Sequence, residues 1–213
     1  MKENHNQKLL VEGNNDMHVV YKLRDKFKIA DNFDVIDCKS ISKLFPELSV
    51  RVDQADIQTI GIIIDADSDL TTQWKNCCKE LRIIGYSVAE IPDLAGTIIL
   101  SESLPKLGIW VMPNNQTQGM LEDFIKTLIE ENDQLLPRAK EILDVLEKDN
   151  VNQYNVATKR SKAELHTWLA WQKEPGQTMG NAITQKYLTN FESAECKAFI
   201  KWLNNLFQQQ DRD

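Results

Sequence analysis

Apolar and polar positions divide this chain into two regimes that meet near residue 115. In the first, short apolar runs recur between amphipathic stretches and glycines. Residues 8–12, 33–38 and 57–64 read as strands, the last the most buried by composition. Runs of this kind suit a parallel sheet covered on both faces. Between the first two, residues 16–26 predict a helix with Met17, Val20, Tyr21 and Leu23 as its apolar contacts and Asn14 or Asn15 as its cap. Ser40 or Ser42 opens a short helix through Leu44, followed by a loop. Residues 70–84 predict a helix stopped by Gly85, and residues 87–91, 97–100 and 109–112 read as further short strands. Strand and helix alternating in this order is the pattern of a doubly wound α/β sheet.

Beyond Pro113-Asn114-Asn115, which reads as a turn, the period becomes helical. Helices are expected over residues 120–132, 137–148, 162–172 and 194–207. Pro175-Gly176 stops the third, and Phe199, Trp202, Leu203, Leu206 and Phe207 form one face of the fourth. No repeat, low-complexity tract or linker-like composition separates the regimes. The expectation is a mainly parallel α/β domain over residues 8–115 and a helical cap over residues 116–208 packed on it.

Two of the apolar runs end in acids. Glu12, Gly13 and Asp16 follow the first, and Asp65, Asp67 and Asp69 follow the third. Open α/β sheets bind ligands at the carboxyl ends of their strands. Carboxylates gathered there repel unless a positive charge sits among them, and a hard divalent cation with oxygen ligands supplies it. A glycine turn lets Asp16 fold back beside Glu12, although an acid in a first helical turn also complements the helix dipole. Alternation along a strand would point Asp65 and Asp67 to one side. Asp69 is a third ligand or, by preference, the cap of the helix at Leu70. Glu122 and Asp123, in Gly119-Met120-Leu121-Glu122-Asp123-Phe124, either complement another helix dipole or reach the same centre. Leu121, Phe124, Ile125 and Leu128 form that helix's apolar face.

Charge narrows the possible partners. Lys plus Arg is 25 against 32 for Asp plus Glu, a net charge of −7 over 213 residues. Such a chain does not bind nucleic acid by bulk electrostatics. A local patch or a metal is needed, and Lys159-Arg160-Ser161-Lys162 is the dense basic run, either a phosphate clamp or a solvated helix start. Cys38, Cys77, Cys78 and Cys196 lack the spacing of a zinc site or a disulfide framework. With no apolar segment near membrane-spanning length, a cytoplasmic protein with no membrane association is expected. His166 beside Trp168 and Trp171 reads as structural, and Trp168, Trp171 and Trp202 as helix-packing residues, with base stacking as the alternative.

Val11-Glu12-Gly13-x-x-Asp16 followed by Asp65-x-Asp67 resembles the Toprim domain of topoisomerases, primases, recombination mediators and OLD-family nucleases, most closely the OLD version. The stretches Trp110 to Asn115, Gly119 to Phe124, His166 to Ala170, Glu174-Pro175-Gly176 and Met179-Gly180 resemble a small family of uncharacterised stand-alone Toprim-like proteins. The resemblance implies Mg²⁺ or Mn²⁺ held by Glu12, Asp65 and Asp67, with Asp16 and Glu122 as second-site candidates. It implies phosphodiester cleavage or transfer on nucleic acid, and Lys159 or Lys162 in the role of a catalytic lysine. Glu12 is also a candidate general base. No phosphate-binding G-x-x-x-x-G-K-[ST] loop occurs, so a partner ATPase would be a separate protein. The alternative is a non-catalytic Toprim-like module acting with a partner. A lone D-x-D also occurs in phosphatases with an aspartyl nucleophile, here Asp65, and in sugar-nucleotide transferases.

Overall fold

The computed structural model describes residues 3–208. Five strands form one sheet in the order β2-β1-β3-β5-β4. They are β1 (Gln7–Val11), β2 (Asp34–Asp37), β3 (Thr59–Asp65), β4 (Thr97–Ile99) and β5 (Lys106–Met112). All neighbours are parallel except the edge pair β4 and β5. Helices cover both faces, which is why adjacent strand residues are both apolar. Leu9, Val11, Ile63, Trp110 and Met112 face one core with α1 (Asn14–Phe27) and the C-terminal helices. Leu10, Ile62, Ile64, Ile109 and Val111 face the other, with α2 (Ile41–Val52) and α3 (Leu70–Ile84).

The helices after residue 115 are α4 (Leu121–Thr127), α5 (Leu135–Lys148), α6 (Val156–Ala170), α7 (Met179–Thr184) and α8 (Ala194–Phe207). They share the first core with β1, α1 and β5 rather than enclosing a core of their own. Helix α8 lies against two glycines that face each other across β3 and β5, Gly61 and Gly108. A Cβ on Gly108 would stand 2.4 Å from Leu206 Cδ2, and one on Gly61 would stand 2.6 Å from Leu9 Cδ1. The last carbonyls of α8 are met by Lys106 Nζ, 2.8 Å from Asn205 O and 2.7 Å from Leu206 O, and by Asn32 Nδ2, 2.7 Å from Phe207 O. These tertiary donors do the work of a C-cap. Gly108→Ala drives the Leu206 side chain from its place against the sheet and should destabilise by about 1–3 kcal/mol. A guanidinium midpoint equal to that of the parent protein would show that α8 yields freely there.

Several elements differ from the sequence pattern. Helix α1 begins at Asn14, and Gly13, not an asparagine side chain, takes the N-cap position. Helix α2 continues past Leu44 to Val52, because burying Leu44, Leu48 and Val52 outweighs the bond that Pro46 cannot donate. Residues 87–91 form no strand. The Ala89 carbonyl there accepts from Trp74 Nε1 at 3.1 Å and from Cys78 Sγ at 3.6 Å, so this segment is bound to α3 instead of a ladder. Helix α4 stops at Thr127, and the Leu128 carbonyl accepts from Thr189 and Asn190. Helix α6 starts at Val156, six residues before the expected point, and α7 had no counterpart in the sequence pattern. Trp168 and Trp202 are buried, whereas Trp171 is 38% exposed at the end of α6 and His166 faces solvent.

Candidate acidic site at the carboxyl edge of the sheet

Strand β1 leads to β2 on one side and lies beside β3 on the other, so the crevice between β1 and β3 is the topological switch point. Val11 pairs with Ile63, which brings the residue after β1 level with the end of β3. Glu12 Oε1 accepts from the Asp65 N–H at 2.9 Å. Asp65 Oδ1 in turn accepts from the Leu121 N–H at 3.0 Å, the first residue of α4. Asp16 sits in the first turn of α1, where a Cβ on Gly13 would stand 3.4 Å from its Oδ2. Glu122, the next residue of α4, is buried and ion-paired with Lys162 Nζ at 3.3 Å.

These carboxylates feel one another. Burial, then repulsion from Asp16 and Asp67, pushes Glu12 up to about 7 against the hydrogen bond from Asp65. Burial, then Glu122 and Asp37, pushes Asp16 up to about 7 against the N–H groups of Asp16 and Gly13. Asp65 is raised well above the ordinary carboxylate range by burial and by Asp16, Glu12, Glu122 and Asp67. The five acids expected from the sequence therefore form one electrostatic cluster.

They do not converge on one point. Among the described residues, no three His, Cys, Asp or Glu side chains are placed to grip a single ion. The physical reason is visible in the hydrogen bonds. Glu12 and Asp65 are turned onto backbone N–H groups, and Asp67 Oδ2 accepts from Gln73 Nε2 at 2.8 Å. Strand alternation does not carry Asp67 to the side of Asp65, because β3 ends at Asp65 and Asp67 adopts a left-handed φ of 51°. Its backbone is bridged to Gly119, whose N–H lies 2.8 Å from the Asp67 carbonyl. Asp69 caps α3, accepting from Thr71 and Thr72 N–H at 2.9 and 3.2 Å. Asp123 holds the start of α4, accepting from Met120 N–H at 2.9 Å and from Ser161 Oγ at 2.6 Å.

The basic run divides as sharply. Arg160 binds Asp144, Glu147 and Glu164 and is a structural hub. Lys162 reaches the acidic cluster, whereas Lys159 is exposed one turn earlier and makes no ion pair among the described residues. A groove of about 530 Å³ runs from Asp67 and Gly119 to Thr158 and Ser161 on α6. A larger hollow of about 1030 Å³ opens at the other end of the sheet, beside Gln7, Thr59 and Lys106, away from the cluster. One acid escaped the sequence reading. Asp37 ends β2 as Glu12 follows β1 and Asp65 ends β3, and its field helps raise Asp16. Its place at the end of an apolar run was the available signal.

Residues 6–208 match the family described as protein of unknown function (DUF3226). The chain belongs to the DUF3226 family. The match runs through the strands and the C-terminal helices alike. No curated protein and no solved structure matches the chain.

The donor set suits a hard divalent cation: carboxylate oxygens from three strand ends and two helix starts, with Lys162 paired to Glu122 and Lys39 to Asp37 at its margins. Glu12, Asp65 and Asp67 would hold such an ion, with Asp16 and Glu122 beside it, once their side chains leave their present N–H partners. Among the described residues no helix is long and apolar enough to cross a membrane.

Proposed function

We propose that this protein carries out Mg²⁺- or Mn²⁺-dependent phosphodiester chemistry on nucleic acid through a Toprim-like fold of the OLD type. The observation that carries the reading is the contact of Glu12 with Asp65 at the switch point, within a cluster of five mutually repelling carboxylates. A bound divalent ion supplies charge neutralisation and polarisation of a phosphoryl oxygen. The chain's own residues do the rest. Where Asp65 and Asp67 hold the ion without it, Glu12, raised by burial and its acidic neighbours, takes a proton from the attacking water instead. Lys162, whose side chain is 44% exposed, turns from Glu122 to the phosphate and offsets its developing charge. The groove between Gly119 and α6 receives the phosphate backbone.

A second reading is favoured by the N–H groups that already engage Glu12 and Asp65: a non-catalytic Toprim-like module that works with a partner protein, such as a separate ATPase. A cytoplasmic location fits four buried free thiols, of which Cys38 and Cys196 are pushed up to about 12 by burial.

The test is incubation of the purified chain with plasmid and single-stranded DNA in Mn²⁺. Cleavage is expected, abolished by chelation and reduced about 100-fold in Asp65→Asn. Lys162→Ala should lose about 10-fold or more, and Lys159→Ala far less. Undiminished cleavage by Asp65→Asn would sink the metal mechanism. Binding of Mn²⁺ and DNA without any cleavage would favour the module.

A further inference from the structure

Helix α5 sits at the periphery, packed on α6, where it buries Ala139 and Leu143. A second apolar stripe faces water. Ile142 is 47% exposed, Val145 57% and Leu146 36%, and Val151 just beyond the helix is 54% exposed. The inner face of α5 is already filled, so these side chains are not explained by the core of their own chain.

The stripe ends in opposite charges. Arg138 lies one turn before Ile142, and Asp149, still in helical conformation, lies one turn after Val145. At 3.6 residues per turn, Arg138, Ile142, Val145 and Asp149 fall within a sector of about 60°. Their spacing is symmetric about a point between Leu143 and Asp144. Turning the helix end for end sets Arg138 opposite Asp149 and Ile142 opposite Val145. A two-fold axis through that point makes the face complementary to itself. Within the chain Arg138 has an exposed contact with Glu141, which contributes little, and Asp149 has no ion pair among the described residues.

We propose that this face is an interface between two copies of the chain. Helix α5 of one copy packs antiparallel on α5 of the other, with Ile142 and Val145 at the centre and an Arg138–Asp149 pair closing each end. The occupant is a second copy because both halves of the match, apolar and charged, lie on the same helix in reverse order. Opposite charges at the two ends set the antiparallel orientation. A 14-residue helix gives a contact about 21 Å long, near the small end of specific interfaces, so association is weak and depends on concentration.

Sedimentation equilibrium of the full chain over about 1–500 μM tests this. A monomer–dimer equilibrium is expected. Ile142→Glu and Val145→Lys should each weaken it about 10-fold or more while leaving the melting temperature nearly unchanged, since both side chains are exposed. Arg138→Asp and Asp149→Arg should each weaken self-association by setting like charges together at both ends. An equimolar mixture of those two variants should associate more tightly than either alone, because every end contact is again between opposite charges. Three results would overturn the proposal: a chain that stays monomeric throughout, leaving the face to a different protein; a dimer untouched by Ile142→Glu; or a mixture no tighter than its components.

Discussion

Millimolar Mn²⁺ should raise the melting temperature of this protein by about 5–10 °C at pH 8 and by much less at pH 5. Glu12 and Asp16 ordinarily titrate at 4.5 and 3.8, but in the folded chain both lie at about 7. Between about pH 4 and 7 the unfolded chain has released these protons while the folded chain keeps them. The metal-free protein therefore loses stability as pH rises through that window, and Asp65, raised in the same direction, adds to the loss. Groups shifted the other way do not interfere. Glu3 is lowered to about 2, chiefly by its hydrogen bond to Arg51, so its contribution is lost only in stronger acid. At pH 8 Glu12 and Asp16 are ionised and available, and a cation at a hundredfold excess over its dissociation constant adds about 2.7 kcal/mol. At pH 5 the ion must displace bound protons. Asp65→Asn keeps an oxygen for the Leu121 N–H and removes a charge, so the metal-free variant should melt no lower than the parent at pH 8 and lose most of its metal response. Thermal melts at the two pH values, with and without Mn²⁺, decide the matter. Equal shifts at both pH values, or in both proteins, would place the ion elsewhere.

Trp202→Ala should destabilise the protein by about 3–5 kcal/mol and lower its melting temperature by about 6–20 °C. Trp202 is fully buried on α8, with its ring centre 5.6 Å from Trp110 of β5 and 5.9 Å from Phe199. The backbone of Gly96 approaches it so closely that a Cβ there would stand 2.3 Å from Trp202 Cδ1. Its indole N–H has no partner among the described residues, so removing the ring forfeits packing rather than a hydrogen bond seen there. Phe199 also meets Phe124 of α4, which links the same cluster to the helix carrying Glu122. Loss of the ring should thus loosen the acidic site as well, seen as a weaker Mn²⁺ shift in the same melts. Denaturation at the parent midpoint would mean that α8 packs on the sheet as a separable appendage.

The residues that the sequence determined by itself are those whose role follows from local physics. The run Ile62-Ile63-Ile64 is buried on both faces and ends in Asp65, so its strand and its carboxylate were legible together. Helix α3 was bounded at both ends because Asp69 and Gly85 act on their own backbone neighbours. Helix α8 showed its apolar face at a period of 3.6. Tertiary structure decided the rest, where the controlling partner lies far along the chain. The Ala89 carbonyl binds Trp74 and the Leu128 carbonyl binds Thr189 and Asn190, contacts that no window of sequence contains. Asp67 left the line of its strand because Gly119 bridges its backbone. The acids were countable in the sequence. That Glu12 meets the Asp65 N–H, Asp65 the Leu121 N–H and Glu122 the ammonium of Lys162 depended on β1, β3, α4 and α6 arriving at one edge of the sheet.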